Sequence, residues 1–223
     1  MSLQWCVLIP ARNEAAAIGG VVTPLVQAGI EVLVMDDGSS DQTVQTAQAA
    51  GAMVVCRQAH HGKGAALREG FAWAIARGYD AVVTMDADGQ HATDDVPRLA
   101  TAAQSTPAEL IVGNRMEHPK RMPIVRRLTN RFMSAVLSGL TRQRIPDSQC
   151  GLRLIRCDLL RRCHLRSDHF EIESELLLEA ARLGARIESI PIQSIYCAER
   201  SQISPFIDTA RFLRLLWHHR RRA

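Results

Sequence analysis

Apolar and polar positions along the first half of the chain alternate between two periods. Five short runs rich in β-branched residues, "WCVLIP", "IEVLVM", "AMVVC", "DAVVTMDAD" and "ELIVGN", have the pattern of strands buried on both faces. Between them, "NEAAAIGGVVTPLVQAG", "SSDQTVQTAQAAG" and "GKGAALREGFAWAIARG" are helical in pattern and each ends at a glycine. That alternation predicts an α/β chain in which helices cover a parallel sheet. Ligands of such sheets collect outside the carboxyl ends of the strands. A polar cluster follows every run here: "PARNE", "DDGSSD", "RQAHHGKG", "DADGQH" and "GNR". These ends are expected to line one rim.

From about Pro119 the pattern turns helical and basic, until a last strand-like stretch, "RIESIPIQSIYC". The closing segment "SPFIDTARFLRLLWHHRRRA" starts with a cap-and-proline signal at Ser204-Pro205 and contains no helix breaker. A single domain over 1–204 followed by a basic amphipathic helix over 205–223 is expected. Phe206, Ile207, Ala210, Leu213 and Trp217 recur on one side of that helix, with Asp208, Arg211 and His218 opposite. Two readings stand: the apolar side docks on the domain, or, with the basic segment around Arg126, Arg127 and Arg131, it rests on an anionic membrane.

Composition narrows the class. The 223 residues are 47% hydrophobic and 22% charged, ordinary for a globular chain. No apolar run approaches the roughly 18 to 20 residues that span a bilayer, and "MSLQWCVLIP" lacks a signal-peptide pattern. The expected place is therefore the cytoplasm, with a peripheral position on the inner face of the membrane as an extension. Six scattered cysteines without a C-x-x-C pair are expected to be reduced thiols. The net charge of +4 is uneven, for Arg115 to Arg144 holds eight Arg or Lys against the single acid Glu117. Such patches favour phosphates.

The candidate chemistry centres on "DADGQH". Side chains at i and i+2 of an extended chain point the same way, and buried carboxylates are costly without a partner. Asp86 and Asp88 are expected to share one: a divalent cation, Mg²⁺ or Mn²⁺, with Gln90 nearby and other positions left to a diphosphate and water. The bland alternative is a pair of helix caps. In "DDGSSDQT" a turn at Asp37-Gly38 and a ribose or base contact from Asp36 or Asp37 are compatible readings. "HHGKG" sets Lys63 at a helix start, where an anion is favoured. No G-x-G-x-x-G follows the first strand, which disfavours a dinucleotide cofactor, and no G-x-S-x-G is present. The acidic strand ends argue against a nucleic-acid partner.

The ordered set "VLIPARNE", "VLVMDDGSSDQT", "HHGKGAALREGF", "VVTMDADGQH", "GNR" and "DSQCGLRLI" resembles family 2 glycosyltransferases of the GT-A fold, most closely the dolichyl- or polyprenyl-phosphate sugar synthase branch. The resemblance implies a Rossmann-like, mostly parallel sheet with helices on both faces. It also implies sugar transfer from a nucleotide sugar to a lipid phosphate. It places Pro10, Arg12 and Glu14 at the nucleotide sugar, with Asp36 or Asp37 meeting base or ribose, and Asp86, Asp88 and Gln90 at the metal and diphosphate; Lys63, from its helix start, joins the nucleotide-sugar set. Arg115 falls near a phosphate, while Arg127, Arg131 and Ser134 fall near the acceptor phosphate. Arg200 lies in "YCAERSQIS", where relatives carry a basic, Gly-containing closing loop; this chain lacks that Gly and the terminal Lys.

Transfer makes charge grow on the leaving diphosphate, so Asp88 with its cation, Arg115 and Arg200 are the catalytic candidates, with Lys63 as added charge. A lipid phosphate needs no general base, whereas a sugar hydroxyl does. Asp147 is a candidate base or a turn residue after Pro146, and Glu171 and Glu173 are candidate bases or a solvated helix face. The rivals are a cytosolic transferase acting on a sugar hydroxyl or another lipid, and a non-catalytic nucleotide-binding module.

Overall fold

The computed structural model describes residues 3–117, 119, 122–195 and 211–217. Strands β1 (Trp5–Ala11), β2 (Val32–Asp36), β3 (Met53–Cys56), β4 (Ala81–Thr84) and β5 (Leu110–Asn114) fall on the five apolar runs. The late strand-like stretch shortens to β7 (Ile187–Pro191), and β6 (Arg153–Arg156) is a strand the apolar pattern does not announce. Helices α1 (Ile18–Gln27), α2 (Thr43–Ala49) and α3 (Lys63–Ala76) each end before a glycine of positive φ, at Gly29, Gly51 and Gly78, a conformation that costs other residues a steric clash. The remaining helices are α4 (Asp95–Ser105), α5 (Ile124–Thr141), α6 (Cys157–Arg162) and α7 (Ile172–Arg182).

One sheet runs β3-β2-β1-β4-β6-β5-β7. All adjacent pairs are parallel except those of β6, which is antiparallel to both β4 and β5. The order steps one way from β1 to β3 and then doubles back to β4. Right-handed crossovers therefore place α1 and α2 on one face and α3 on the other. Helix α3 lies so close to β1 that a Cβ on Gly70 would stand 2.3 Å from the Leu8 side chain.

The antiparallel strand matters for the site. Its first residue, Arg153, pairs with Thr84, the last of β4. The loop that precedes β6, "DSQCGL", thus arrives at the same rim as the carboxyl end of β4. Arg153 is itself buried, and its guanidinium donates to the carbonyls of Cys150, Glu173 and Ser148 at 2.6–2.7 Å. A buried cation is tolerable only with its donors satisfied in this way.

Residues 211–217 are helical. Phe212 is fully buried, whereas Leu213 and Trp217 are exposed, so the docked side is centred one position away from the stripe that the sequence suggests. The Ser204-Pro205 start, Phe206, Ile207, Ala210, Arg200 with its loop, and the terminal basic cluster lie outside the described residues.

Candidate active site

Two loops at the rim are laced together before any ligand is considered. The side chains of Ser39, Thr43 and Asp41 accept the backbone amides of Asn13, Glu14 and Ala15 at 2.9, 2.8 and 3.2 Å. The polar residues of "DDGSSDQT" therefore fix "PARNE" rather than serving only as turn and cap. Asp37 is equally committed. Its Oδ1 accepts from Arg57 Nη1 and the His61 amide, and its Oδ2 meets His60 Nδ1 and the Gly62 amide, all within 3.0 Å. Burial pushes this carboxyl upward, but the His61 and Gly62 amides and His60 outweigh that and hold it below the usual range. Asp37 organises the loop leading to Lys63; the expected base or ribose contact finds both its oxygens already occupied. Asp36 is buried, takes the Ser39 amide at 3.1 Å and does not line the cavity described next.

A cavity of about 540 Å³ opens at the rim, lined from the strand ends by Pro10, Arg12, Glu14, Asp37, Lys63, Asp86, Asp88 and Gln90. Arg126, Gln149, His169, Phe170, Glu173 and Arg211 line it from the second half. At its centre Lys63 Nζ bridges Asp86 Oδ1 at 2.5 Å and Glu173 Oε1 at 2.6 Å. Burial would lower the lysine, yet the two carboxylates hold it above its ordinary range. Asp86 faces the same burial, and Lys63 and His91 hold it well below the carboxylate range. Asp88 goes the other way, raised by burial and then by the charge of Asp86.

Glycines make this cluster possible. A Cβ on Gly151 would stand 2.3 Å from Asp86 Oδ2, and the Thr84 hydroxyl donates to the Gly151 carbonyl at 2.8 Å. The "DSQCG" segment is thus the floor beneath the Asp86 carboxylate. Gly62 and Gly64 have a different reason from anion binding. Side chains there would collide with the 167–169 backbone or His169, and the Gly64 and Ala65 amides both donate to the Asp168 carbonyl. The start of α3 is consequently spent on protein partners, and Lys63 on carboxylates, which corrects the expectation of an open anion site.

Several other expectations are corrected by burial. Arg115 and Asp147 are not on the cavity wall. They form a buried pair, Nε to Oδ2 at 2.8 Å and Nη2 to Oδ1 at 2.9 Å, with Asn130 Nδ2 adding a bond at 2.7 Å. Burial raises the Asp147 carboxyl, and Arg115 more than reverses this, leaving it low. Neither a surface turn nor an accessible base describes it. Ser134 is buried too, bonded to Asn130 and Ser148, so it cannot meet an acceptor phosphate. Glu173 is not a solvated helix residue; it is buried against Lys63. Glu171 is half-buried and does not line the cavity.

The phase of α5 explains which arginines reach the site. Its buried residues Asn130, Met133, Ser134, Leu137 and Thr141 mark the inner face, and Arg126 stands one turn before Asn130. Arg126 accordingly lines the cavity, with Nη1 3.3 Å from Gln90 Oε1. Arg127 is half-buried and off the wall, and Arg131 is on the exposed outer side. The expected acceptor set was out of register. Arg126 and Arg211 are the cavity cations that the motifs missed, and only helix phase could have found the first.

A divalent cation fits the two aspartates on one structural ground: Asp86 and Asp88 line the same cavity, where Asp88 is raised first by burial and then by the like charge of Asp86. Among the described residues no three His, Cys, Asp or Glu side chains converge as a metal cage. Two carboxylates that leave most positions to a diphosphate suit a hard ion such as Mg²⁺ or Mn²⁺.

Comparison with known proteins bears on the family and the fold. The chain is 30% identical to the UDP-N-acetylglucosamine–dolichyl-phosphate N-acetylglucosaminyltransferase of Methanococcus voltae, over 85% of this chain and 84% of that one. It is 32% identical to the undecaprenyl-phosphate mannosyltransferase of Micrococcus luteus, over 83% and 81%. A crystal structure of glucosyl-3-phosphoglycerate synthase from Mycobacterium tuberculosis with Mn²⁺, UDP-glucose and phosphoglyceric acid superposes with a TM-score of 0.75 at 25% identity, covering 97% of this chain and 79% of that one. The α/β architecture is that of the GT-A glycosyltransferases, as the motif order implied. The model of the family described as Glycosyl transferase family 2 matches residues 6–163, the greater part of the chain and every motif that builds the rim up to Gly151, and the chain belongs to that family.

Proposed function

We propose that this glycosyltransferase moves a sugar from a UDP- or GDP-sugar to a polyprenyl-phosphate lipid, with inversion, and that it does so with Mg²⁺ or Mn²⁺. The observation that carries the acceptor is the fate of the candidate bases. Asp147 is neutralised by Arg115 and Glu173 is held by Lys63, so neither is placed to deprotonate a sugar hydroxyl. A phosphate oxygen is already anionic and needs only positioning. Two relatives named as transferases acting on dolichyl and undecaprenyl phosphate support the same choice.

In the step itself, a phosphate oxygen of the acceptor bonds to the anomeric carbon as the bond from that carbon to the diphosphate oxygen breaks. The electron pair leaves with the nucleoside diphosphate. Asp86 and Asp88 would hold the cation, which neutralises the charge growing on the diphosphate. Arg12, Arg126 and Arg211 give the wall the positive charge that both phosphate groups need. Gly151 keeps Asp86 in place, and Asp37 fixes the loop that carries Lys63. Arg200, in the closing-loop position of the motif order, is proposed as a further cation on the donor.

A thermal-stability screen of UDP- and GDP-sugars, with and without Mn²⁺, tests the donor half, since a bound ligand stabilises by RT ln(1 + [L]/Kd). Labelled sugar entering the lipid extract when polyprenyl phosphate in detergent is supplied tests the acceptor half. Label moving only to a sugar hydroxyl would overturn it.

A further inference from the structure

Helix α5 has a second face that the site does not use. Ile124, Val125, Leu128 and Phe132 are 66%, 65%, 57% and 57% exposed, and Arg131 lies among them. Positions 124, 128, 131, 132 and 135 share one side of a helix, and an apolar row of this length is unusual on a soluble surface. Two observations say what covers it. The first is charge: Ile124–Thr141 contains Arg126, Arg127 and Arg131 and no acidic residue. Of these only Arg131 lies on the exposed face, where a second copy meeting the same patch about a two-fold axis would bring it toward its own counterpart. An anionic surface complements it.

The second observation is continuity with the cavity. The turn of α5 that exposes Ile124, Val125 and Leu128 also sends Arg126 into the cavity wall. The 211–217 segment repeats the arrangement, with Arg211 in the wall, Phe212 buried, and Leu213 and Trp217 exposed. Apolar side chains therefore flank the segments whose arginines line the cavity.

We infer that the outer face of α5, Ile124, Val125, Leu128 and Phe132 with Arg131, is a docking surface for an anionic lipid bilayer. The choice of partner rests on the lipid-phosphate reading. Apolar side chains enter the headgroup boundary while Arg131 meets anionic headgroups, which gives reversible, salt-sensitive attachment. The acceptor phosphate then reaches Arg126 without its chain leaving the membrane.

The full chain and its Leu128→Ser/Phe132→Ser variant are sedimented with phosphatidylcholine vesicles, with and without phosphatidylglycerol. The parent is expected to pellet with the anionic vesicles and release in high salt. The double variant, altered only at exposed positions, keeps its thermal midpoint and binds at least about tenfold more weakly. Arg131→Gln weakens binding about fivefold. Equal binding by parent and double variant, or binding by neither, overturns the inference. So does a parent dimer that the double variant breaks, which would give the face to a second copy. Transfer to a short, water-soluble isoprenyl phosphate is unchanged in the double variant. Its failure in the parent would count against the acceptor reading and leave the vesicle result standing.

Discussion

Replacing Gly151 by alanine separates the position of Asp86 from the stability of the fold. The added Cβ would stand 2.3 Å from Asp86 Oδ2 and 2.6 Å from both Cγ and Oδ1, well inside contact distance. Backbone on both sides is held, on one by Thr84 and on the other by the β4–β6 ladder. The carboxylate is the end of a side chain, so it is what moves. Rotation breaks its 2.5 Å contact with Lys63 and its approach to His91 at 3.5 Å. Overpacking of this kind costs about 1–3 kcal/mol, or roughly 2–12 °C in the thermal midpoint of a chain this size. The functional loss is larger, because a cation needs both carboxylates within coordination distance. Calorimetric titration of UDP or GDP in Mn²⁺ should show metal-dependent affinity falling by at least about tenfold, while nucleotide binding in chelator changes little. A Gly151→Ala protein that folds and binds the metal–nucleotide pair like its parent would refute the placement of Asp86 and the purpose assigned to "DSQCG".

Gly64→Ala makes the opposite separation: its Cβ would meet the Ser167 carbonyl oxygen at 2.3 Å and backbone of 168–169 within 3 Å, so a loss of about 2–4 kcal/mol in denaturant unfolding is expected. Asp88→Asn removes a carboxyl raised by burial and by Asp86, so the empty protein should melt at the same or a higher temperature while Mn²⁺-dependent nucleotide binding is abolished; parental transfer by this variant would end the metal assignment. Asp37 and Asp147 are both held low in the folded chain, so the unfolded chain, with aspartates near about 3.9, binds more protons. Their stabilisation is complete above about pH 4 and disappears as pH falls through the depressed folded values. Asp147→Asn should flatten that acid limb in urea titrations and, by leaving Arg115 buried without its counter-charge, cost about 3–5 kcal/mol at pH 7.

Strands buried on both faces announce themselves, which is why β1 to β5 and the rim at their ends were legible as apolar runs followed by polar clusters. Strand β6 was not, because "RLIR" carries two arginines and only the three carbonyls gathered by Arg153 make its burial tolerable. The same limit applies to the site. "DADGQH" names its aspartates through i and i+2 spacing, but whether a charged residue faces a cavity or another charge depends on neighbours far along the chain. Arg115 and Asp147 are 32 residues apart, and Lys63 and Glu173 are 110 apart. Arg126 rather than Arg127 reaches the cavity because α5 starts at Ile124, after Pro123, and a shift of one residue turns a helix by about 100°.

The place of β6 also sets an order of assembly. Strand β4 has β1 as one neighbour from the start, but its other edge must wait for Arg153–Arg156, about seventy residues later in the chain. At about 5–20 residues per second the ribosome leaves that edge open for roughly 4 to 14 s. Until then Asp86 has no floor, since Gly151 comes just before β6, and Lys63 waits longer still for Glu173 in α7. The nascent first half is consequently a sheet with an unpaired apolar edge, the kind of surface that chaperones hold and that pairs wrongly with another chain. The cavity is completed with the sheet: a chain that stops short of Gly151 has neither the floor beneath Asp86 nor a closed β4 edge, and the two arrive within a few residues of each other.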